Sequence, residues 1–125
     1  MINTYDIDGV IFINNEFEGL TPTPKDIIIT GRSFEEEKQT RRILAERDIS
    51  NTVYFNKLKF DQKSRLSSGI HKGEVLNMLK EQGIVVGIHF EDDEIQVEEI
   101  KKIAPWVNVI HINHTLTEKE NVWHE

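Results

Sequence analysis

The chain has 125 residues, no cysteine and a net charge of −7. That is one domain (1–125) with enough length for a real hydrophobic core, no disulfide or thiolate chemistry, and no overall basic character of the kind a general nucleic-acid binder needs. No apolar run approaches the roughly 20 residues that span a bilayer, so no membrane partner is expected, and with no signal peptide read ahead of the first strand a cytoplasmic location is expected.

The first strand-like run, about Ile2 to Asp6, ends in Asp6-Ile7-Asp8-Gly9. Acids at i and i+2 on a strand end can share one hard cation and one substrate, because such ions take oxygen ligands and need few of them from the protein. Residues 10–25 carry alternating apolar residues, asparagines, a glycine and prolines, the pattern of a short β-hairpin flap over the site. A second strand, Asp26 to Thr30, is almost wholly β-branched and is followed by Gly31 and Arg32. Ser33 with Glu36 three residues on is a capping box that opens a helix to about Arg47.

A third strand covers Thr52 to Phe55, and residues 56–69 read as a polar loop. From Lys57 to Lys72 there are five bases and one acid, a local basic stretch in an acidic chain. The second helix is predicted from about Ile70 to Gln82, stopped by Gly83. Lys72 then falls at its first turn, against the macrodipole, a placement that suggests an anionic partner. The fourth strand, Val85 to Phe90, ends in Glu91-Asp92-Asp93, and a third helix runs from Asp93 to Ala104, ended by Pro105. The fifth strand is Val107 to Ile112, and a charged tail from about residue 115 is expected to fray. The five histidines show no zinc-site spacing; His71, beside Lys72, is the one of interest.

Continuous apolar strands alternating with helices predict an α/β, Rossmann-like, doubly wound parallel sheet of about five strands in the order 3-2-1-4-5, with helices on both faces. Ligands of such sheets bind beyond the carboxyl ends of the strands, where the strand order reverses. Asp6, Asp8, Thr30 and the acids after the fourth strand all fall on that rim.

The set DIDGV, IIITGR, HKGEVLNML and HFEDD, spread over residues 5 to about 110, resembles the four motifs of the haloacid dehalogenase (HAD)-like phosphohydrolase superfamily. The resemblance implies a Mg²⁺-dependent phosphatase acting through an aspartyl-phosphate. Asp6 is then the nucleophile and Asp8 the general acid and base, its backbone carbonyl also on the metal. Thr30 binds a phosphoryl oxygen. Lys72 neutralises charge on the phosphate and on Asp6, with Lys63 as the fallback for that role. The substrate-binding set is Thr30, Gly31, Arg32 and Lys72. The metal set is Asp6, Asp8 and an acid of the fourth motif, either Asp92 or Asp93; Asp93 with Gln96 reads as a helix cap, which favours Asp92.

Gly9-Val10 stands where many members of the superfamily have Thr-Leu. The gaps between motifs leave no room for a cap domain, which implies an open site and a phosphorylated substrate that is a protein, a nucleic-acid end or a nucleotide. HKGEVLNML and EDDEIQVEEI are also similar to the phosphatase half of polynucleotide kinase-phosphatases. The alternative is a catalytically silent HAD-like binding or regulatory domain. A phospho-acceptor receiver domain would need its acceptor Asp at the end of the third strand, where this chain has Phe55-Asn56.

Overall fold

β-branched and aromatic residues cluster into five short runs, and each becomes a strand. In the computed structural model, which describes residues 1–119, these are β1 (Ile2–Tyr5), β2 (Ile27–Ser33), β3 (Val53–Asn56), β4 (Val86–Glu91) and β5 (Asn108–His111). They form one sheet in the order β3-β2-β1-β4-β5, and every neighbouring pair is parallel. The chain thus steps outward from β1 on one side and returns to its other side. Three of the four crossovers carry α1 (Glu37–Ala45), α2 (Arg65–Glu81) and α3 (Glu94–Ile103). This is the predicted Rossmann-like α/β architecture, and no cap domain interrupts it among the described residues.

Successive strand residues point to opposite faces, so Ile28 and Ile29 feed different cores. Ile28 packs with Tyr5, Val53, Leu44 of α1 and the buried Ile7, Val10 and Ile11 that follow β1. Ile29 packs with Val86, with Val75, Leu76 and Leu79 of α2, and with Ile100 of α3. α2 and α3 approach closely at Gly69: a Cβ there would lie 3.0 Å from Cα of Gln96. A larger residue would push apart the two helices that bring Lys72 and Gln96 together.

Helix ends follow their caps. Ser33 and Glu36 form the expected capping box, but it opens a 3₁₀ turn (Phe34–Glu36) that leads into α1, and α1 ends at Ala45 rather than near Arg47. α2 begins five residues earlier than its apolar pattern suggested. Ser64 caps it by accepting from the Ser67 amide at 3.2 Å, while Ser67 Oγ accepts from the Ser64 amide at 2.8 Å. Lys72 therefore sits two turns inside the helix, where the macrodipole exerts little pull, and not at its first turn as expected. Asp93 is the N-cap of α3, accepting from the Ile95 amide at 3.0 Å. Gln96 closes no capping box there: its side chain spans Asp93 and Lys72.

Residues 10–20 form a rudimentary hairpin with one antiparallel bridge, Phe12 to Glu18, its turn held by Asn14 Oδ1 accepting from the Glu16 and Phe17 amides. The tail was expected to fray from about 115. Within it Leu116, Thr117 and Lys119 bond to the body, Thr117 through its hydroxyl to the Ile13 carbonyl at 2.5 Å; 120–125 lies outside the described residues. At the N-terminal edge of the sheet, Asp26 is buried and fully partnered. It accepts from the Asn3 amide at 3.0 Å and from the Thr23 amide and hydroxyl at 2.9 and 2.8 Å. Among the described residues no helix is long and apolar enough to cross a membrane.

Candidate active site

Because all five strands run the same way, the residues after β1, β2 and β4 emerge on one rim. Asp6, the first residue past β1, is buried and accepts from the Ile7 amide at 2.8 Å. Lys72 reaches it from α2, with Nζ 3.0 Å from Asp6 Oδ1 and 2.7 Å from Glu91 Oε1. The same ammonium donates to Gln96 Oε1 at 2.5 Å. Its side chain is 1% exposed. Burial alone would favour a neutral amine, but the charges of Asp6 and Glu91 outweigh it and push the Lys72 pKa well up.

The acids show the converse. Burial first, then the neighbouring Glu91 charge, raise the Asp6 pKa well above the usual carboxylate range, against the pull of Lys72; Asp92 and Asp8 add to the rise. Glu91, fully buried, is raised by burial in spite of Lys72. Carboxylate oxygens of Asp6, Glu91 and Asp92 lie within 4.8 Å of one another. Asp92 reaches the cluster because Gly9 makes room for it. Gly9 has φ +85°, and a Cβ there would stand 1.9 Å from Asp92 Oδ2. The turn Asp8-Gly9 and the acid after β4 are therefore sterically matched.

Two arginines hold the other acids. Arg32 grips both oxygens of Asp8, Nε to Oδ2 at 2.9 Å and Nη2 to Oδ1 at 2.8 Å. Thr30 is buried, and its hydroxyl accepts from the Arg32 amide at 3.0 Å. Arg65 holds Asp93 in the same bidentate way at 2.9 and 2.8 Å. Burial would raise the Asp93 pKa, but the Arg65 bonds and charge outweigh it and lower it. With its oxygens taken by Arg65, the Ile95 amide and Gln96, Asp93 serves the helix and the rim, and it is absent from the acidic trio.

Between these groups lies a cleft of about 240 Å³, floored by Asp6, Lys72 and Asp92 and walled by Asp8, Arg32 and Asp93. Phe60 and Lys63 line it from the loop after β3, Arg65 from the start of α2, Gly31 from β2 and Thr117 to Lys119 from the tail. No residue from 9 to 25 lines it; the hairpin borders an adjoining hollow that shares Asp8 and Thr117. Lys119 donates to Asp92 Oδ2 at 2.7 Å. Lys63 lies with its ammonium 4.0 Å from Glu36 Oε2 and 5.2 Å from the centre of the Phe60 ring.

Of the residues expected at the site, Asp6, Asp8, Gly31, Arg32, Lys72, Asp92 and Asp93 all line this cleft, while Thr30 meets it through the Arg32 amide. Sequence reading missed Glu91, Gln96 and His89. His89 is fully buried, and burial, aided by Lys72, holds its pKa down near 3. It is therefore neutral: Nδ1 takes the Thr4 hydroxyl at 2.7 Å and Nε2 faces Glu91 Oε1 at 3.3 Å. The signal for Glu91 and His89 was an ionisable residue inside a strand buried on both faces, which demands a partner. His111 and His114 donate to the backbone carbonyls of Asp92 (3.0 Å) and Gly9 (2.7 Å) and so brace the two turns of the site. His71 faces the Tyr54 carbonyl at 3.4 Å, away from the cleft lining, with its pKa lowered by burial to about 4.

The cluster fits a small hard cation. Its donors are carboxylate oxygens only, and of the buried charges at its centre three are negative and one, Lys72, is positive. Comparison with protein-family models, with curated proteins and with solved structures finds no match to this chain.

Proposed function

We propose that this chain is a Mg²⁺-dependent phosphomonoesterase of the HAD-like type, with Asp6 as its nucleophile. The observation that carries this reading is the convergence of Asp6, Asp92 and Lys72 on one cleft floor, with the Lys72 ammonium 3.0 Å from an Asp6 oxygen. Three segments far apart in the chain, the turn after β1, α2 and the end of β4, supply an anionic nucleophile, a fixed cation, a second acid at reach and an oxygen-only cation site.

In the proposed reaction an Asp6 oxygen attacks phosphorus and the bond to the ester oxygen breaks, which leaves an aspartyl-phosphate. Asp8 gives its proton to the departing oxygen. Water then attacks the phosphorus of the intermediate, returns a proton to Asp8, and frees phosphate and Asp6. Lys72 holds the attacking carboxylate in place and balances the charge that gathers on the phosphoryl oxygens. Arg32 now occupies both oxygens of Asp8, so at least one must be released before Asp8 can act. An incoming phosphoryl group is the natural competitor for a guanidinium fork, which gives Arg32 its substrate-binding role beside Thr30 and Gly31. Mg²⁺ would be held by Asp6, Asp92 and the Asp8 carbonyl; when bound, it supplies the positive charge that lets carboxylate and phosphate approach each other.

The silent-domain alternative draws on two ion pairs that occupy the acids of the cleft, Arg32 on Asp8 and Lys119 on Asp92. One assay separates the readings. Purified protein with Mg²⁺ should release phosphate from an aryl phosphate, EDTA should stop it, and Asp6→Asn should abolish it with the fold intact. Turnover that survives Asp6→Asn would refute the nucleophile assignment. No turnover with any phosphate ester would favour the silent domain.

A further inference from the structure

Phe60 is 61% exposed, yet nothing about it is loose. The turn that carries it closes with Gln62 N to the Lys59 carbonyl at 2.9 Å. The Phe60 amide donates to Glu35 Oε1 at 2.9 Å, Ser33 Oγ donates to the Leu58 carbonyl at 2.6 Å, and Asn56 Oδ1 accepts from the Leu58 amide at 3.1 Å. Its own turn and two neighbouring segments, Ser33 to Glu35 and the end of β3, thus fix an apolar ring at the wall of the polar cleft. Single exposed apolar residues are ordinary, but this ring lines the same cavity as Asp6 and Asp92, and the Lys63 ammonium lies 5.2 Å from its centre. A ring backed by a cation and open to solvent is a stacking platform.

Its place selects the occupant. Phe60 follows β3, two strands from the β1 end that carries Asp6, which is a lateral step of about 10 Å at the usual strand spacing. In an aryl phosphate the ring is one ester oxygen from phosphorus, so it would lie close to Asp6, Asp8 and Arg32, short of Phe60. In a nucleotide a sugar separates the two, and the ring reaches the wall. We infer that Phe60 stacks on the nucleobase of a nucleoside monophosphate unit whose phosphate enters the Asp6 cleft. This deepens the phosphatase reading and rests on it for the chemistry, although the base contact can be measured without turnover.

The test is calorimetric binding of AMP and of ribose 5-phosphate to Asp6→Asn protein, with Phe60 intact and with Phe60→Ala or Phe60→Trp added. AMP should bind about tenfold tighter than ribose 5-phosphate, the size of one base–aromatic stack. Phe60→Ala should bring that ratio near one, and Phe60→Trp should keep it. A ratio near one with Phe60 intact, a ratio that survives Phe60→Ala, or a phosphotyrosine peptide that binds tighter than AMP and depends on Phe60 would each overturn the inference. A 3′-phosphorylated dinucleotide that outbinds AMP would assign the unit to a strand end; equal binding would assign it to a free nucleotide. A Phe60-dependent ratio in a protein whose wild type releases no phosphate would uphold the base contact and refute the phosphatase reading.

Discussion

Two buried aspartates stand at opposite ends of the same sheet and face opposite fates. Asp26, before β2, has its carboxylate wrapped by neutral donors from Asn3 and Thr23. Burial works against its charge, but those hydrogen bonds outweigh burial and lower its pKa. Asp6, after β1, has one backbone donor and one ammonium, and its other close neighbours are acids; burial and those acids raise its pKa. The first arrangement stabilises the ionised group in the folded chain. The second holds a charge under tension, which a cation or an electrophile can relieve. Burial alone does not separate a structural acid from a reactive one; the sign of its surroundings does.

The largest test of that contrast is Asp6→Asn. On the proposed mechanism phosphate release should fall by about a thousandfold or more, since a nucleophile cannot be replaced by its amide. Without metal the same variant should melt higher than wild type. The folded-state pKa of Asp6 lies above its unfolded value, so at neutral pH the folded chain is penalised for an ionisation the unfolded chain makes freely. A lower melting temperature in EDTA would mean that Lys72 already compensates Asp6.

Next comes Asp26→Ala, which strands the Asn3 and Thr23 donors. Urea denaturation should show a loss of about 2 kcal/mol or more, with phosphate release per folded molecule kept. The pH profile should sharpen this. The pKa of Asp26 is depressed on folding, so its contribution is full above the unfolded carboxylate value of about 3.9 and fades as pH falls through the lower folded value. The stability gap between wild type and Asp26→Asn should therefore be flat near neutrality and close in that acid range. The smallest effect is at Lys119. Its pair with Asp92 has a partly exposed ammonium, so Lys119→Ala should tighten Mg²⁺ binding about two- to fivefold, read by titration calorimetry. Unchanged affinity would mean that the tail stands off Asp92 in solution.

Much of this was legible in the sequence. The β-branched run of β2 and the strand–helix alternation were enough for the sheet order, and DIDG with the acids after β4 was enough for the floor of the cleft. Local rules failed where partners lie far apart. Ser64 and Ser67 cap α2 through serine on both sides rather than serine and glutamate, so residues 65–69 read as loop and Lys72 was placed at a helix start. Asp8–Arg32 and Asp93–Arg65 span 24 and 28 residues, and no periodicity reports such pairs. Glu91 is visible at the strand end but carries no role in the sequence, where only Asp92 and Asp93 compete for the metal; the lysine two turns inside α2 meets it as well as Asp6.

The pairing of β1 with β4 joins stretches of chain 85 residues apart at Thr4 and His89, and the acidic trio exists only once that pairing is made. A partly assembled chain, however much helix it holds, has nowhere to put a divalent ion. Cation binding would then be linked to the complete fold alone and would lift its melting point in step with ion concentration. A calcium- or magnesium-dependent shift in thermal unfolding would thus act as a gauge of how many molecules in a preparation have closed the sheet.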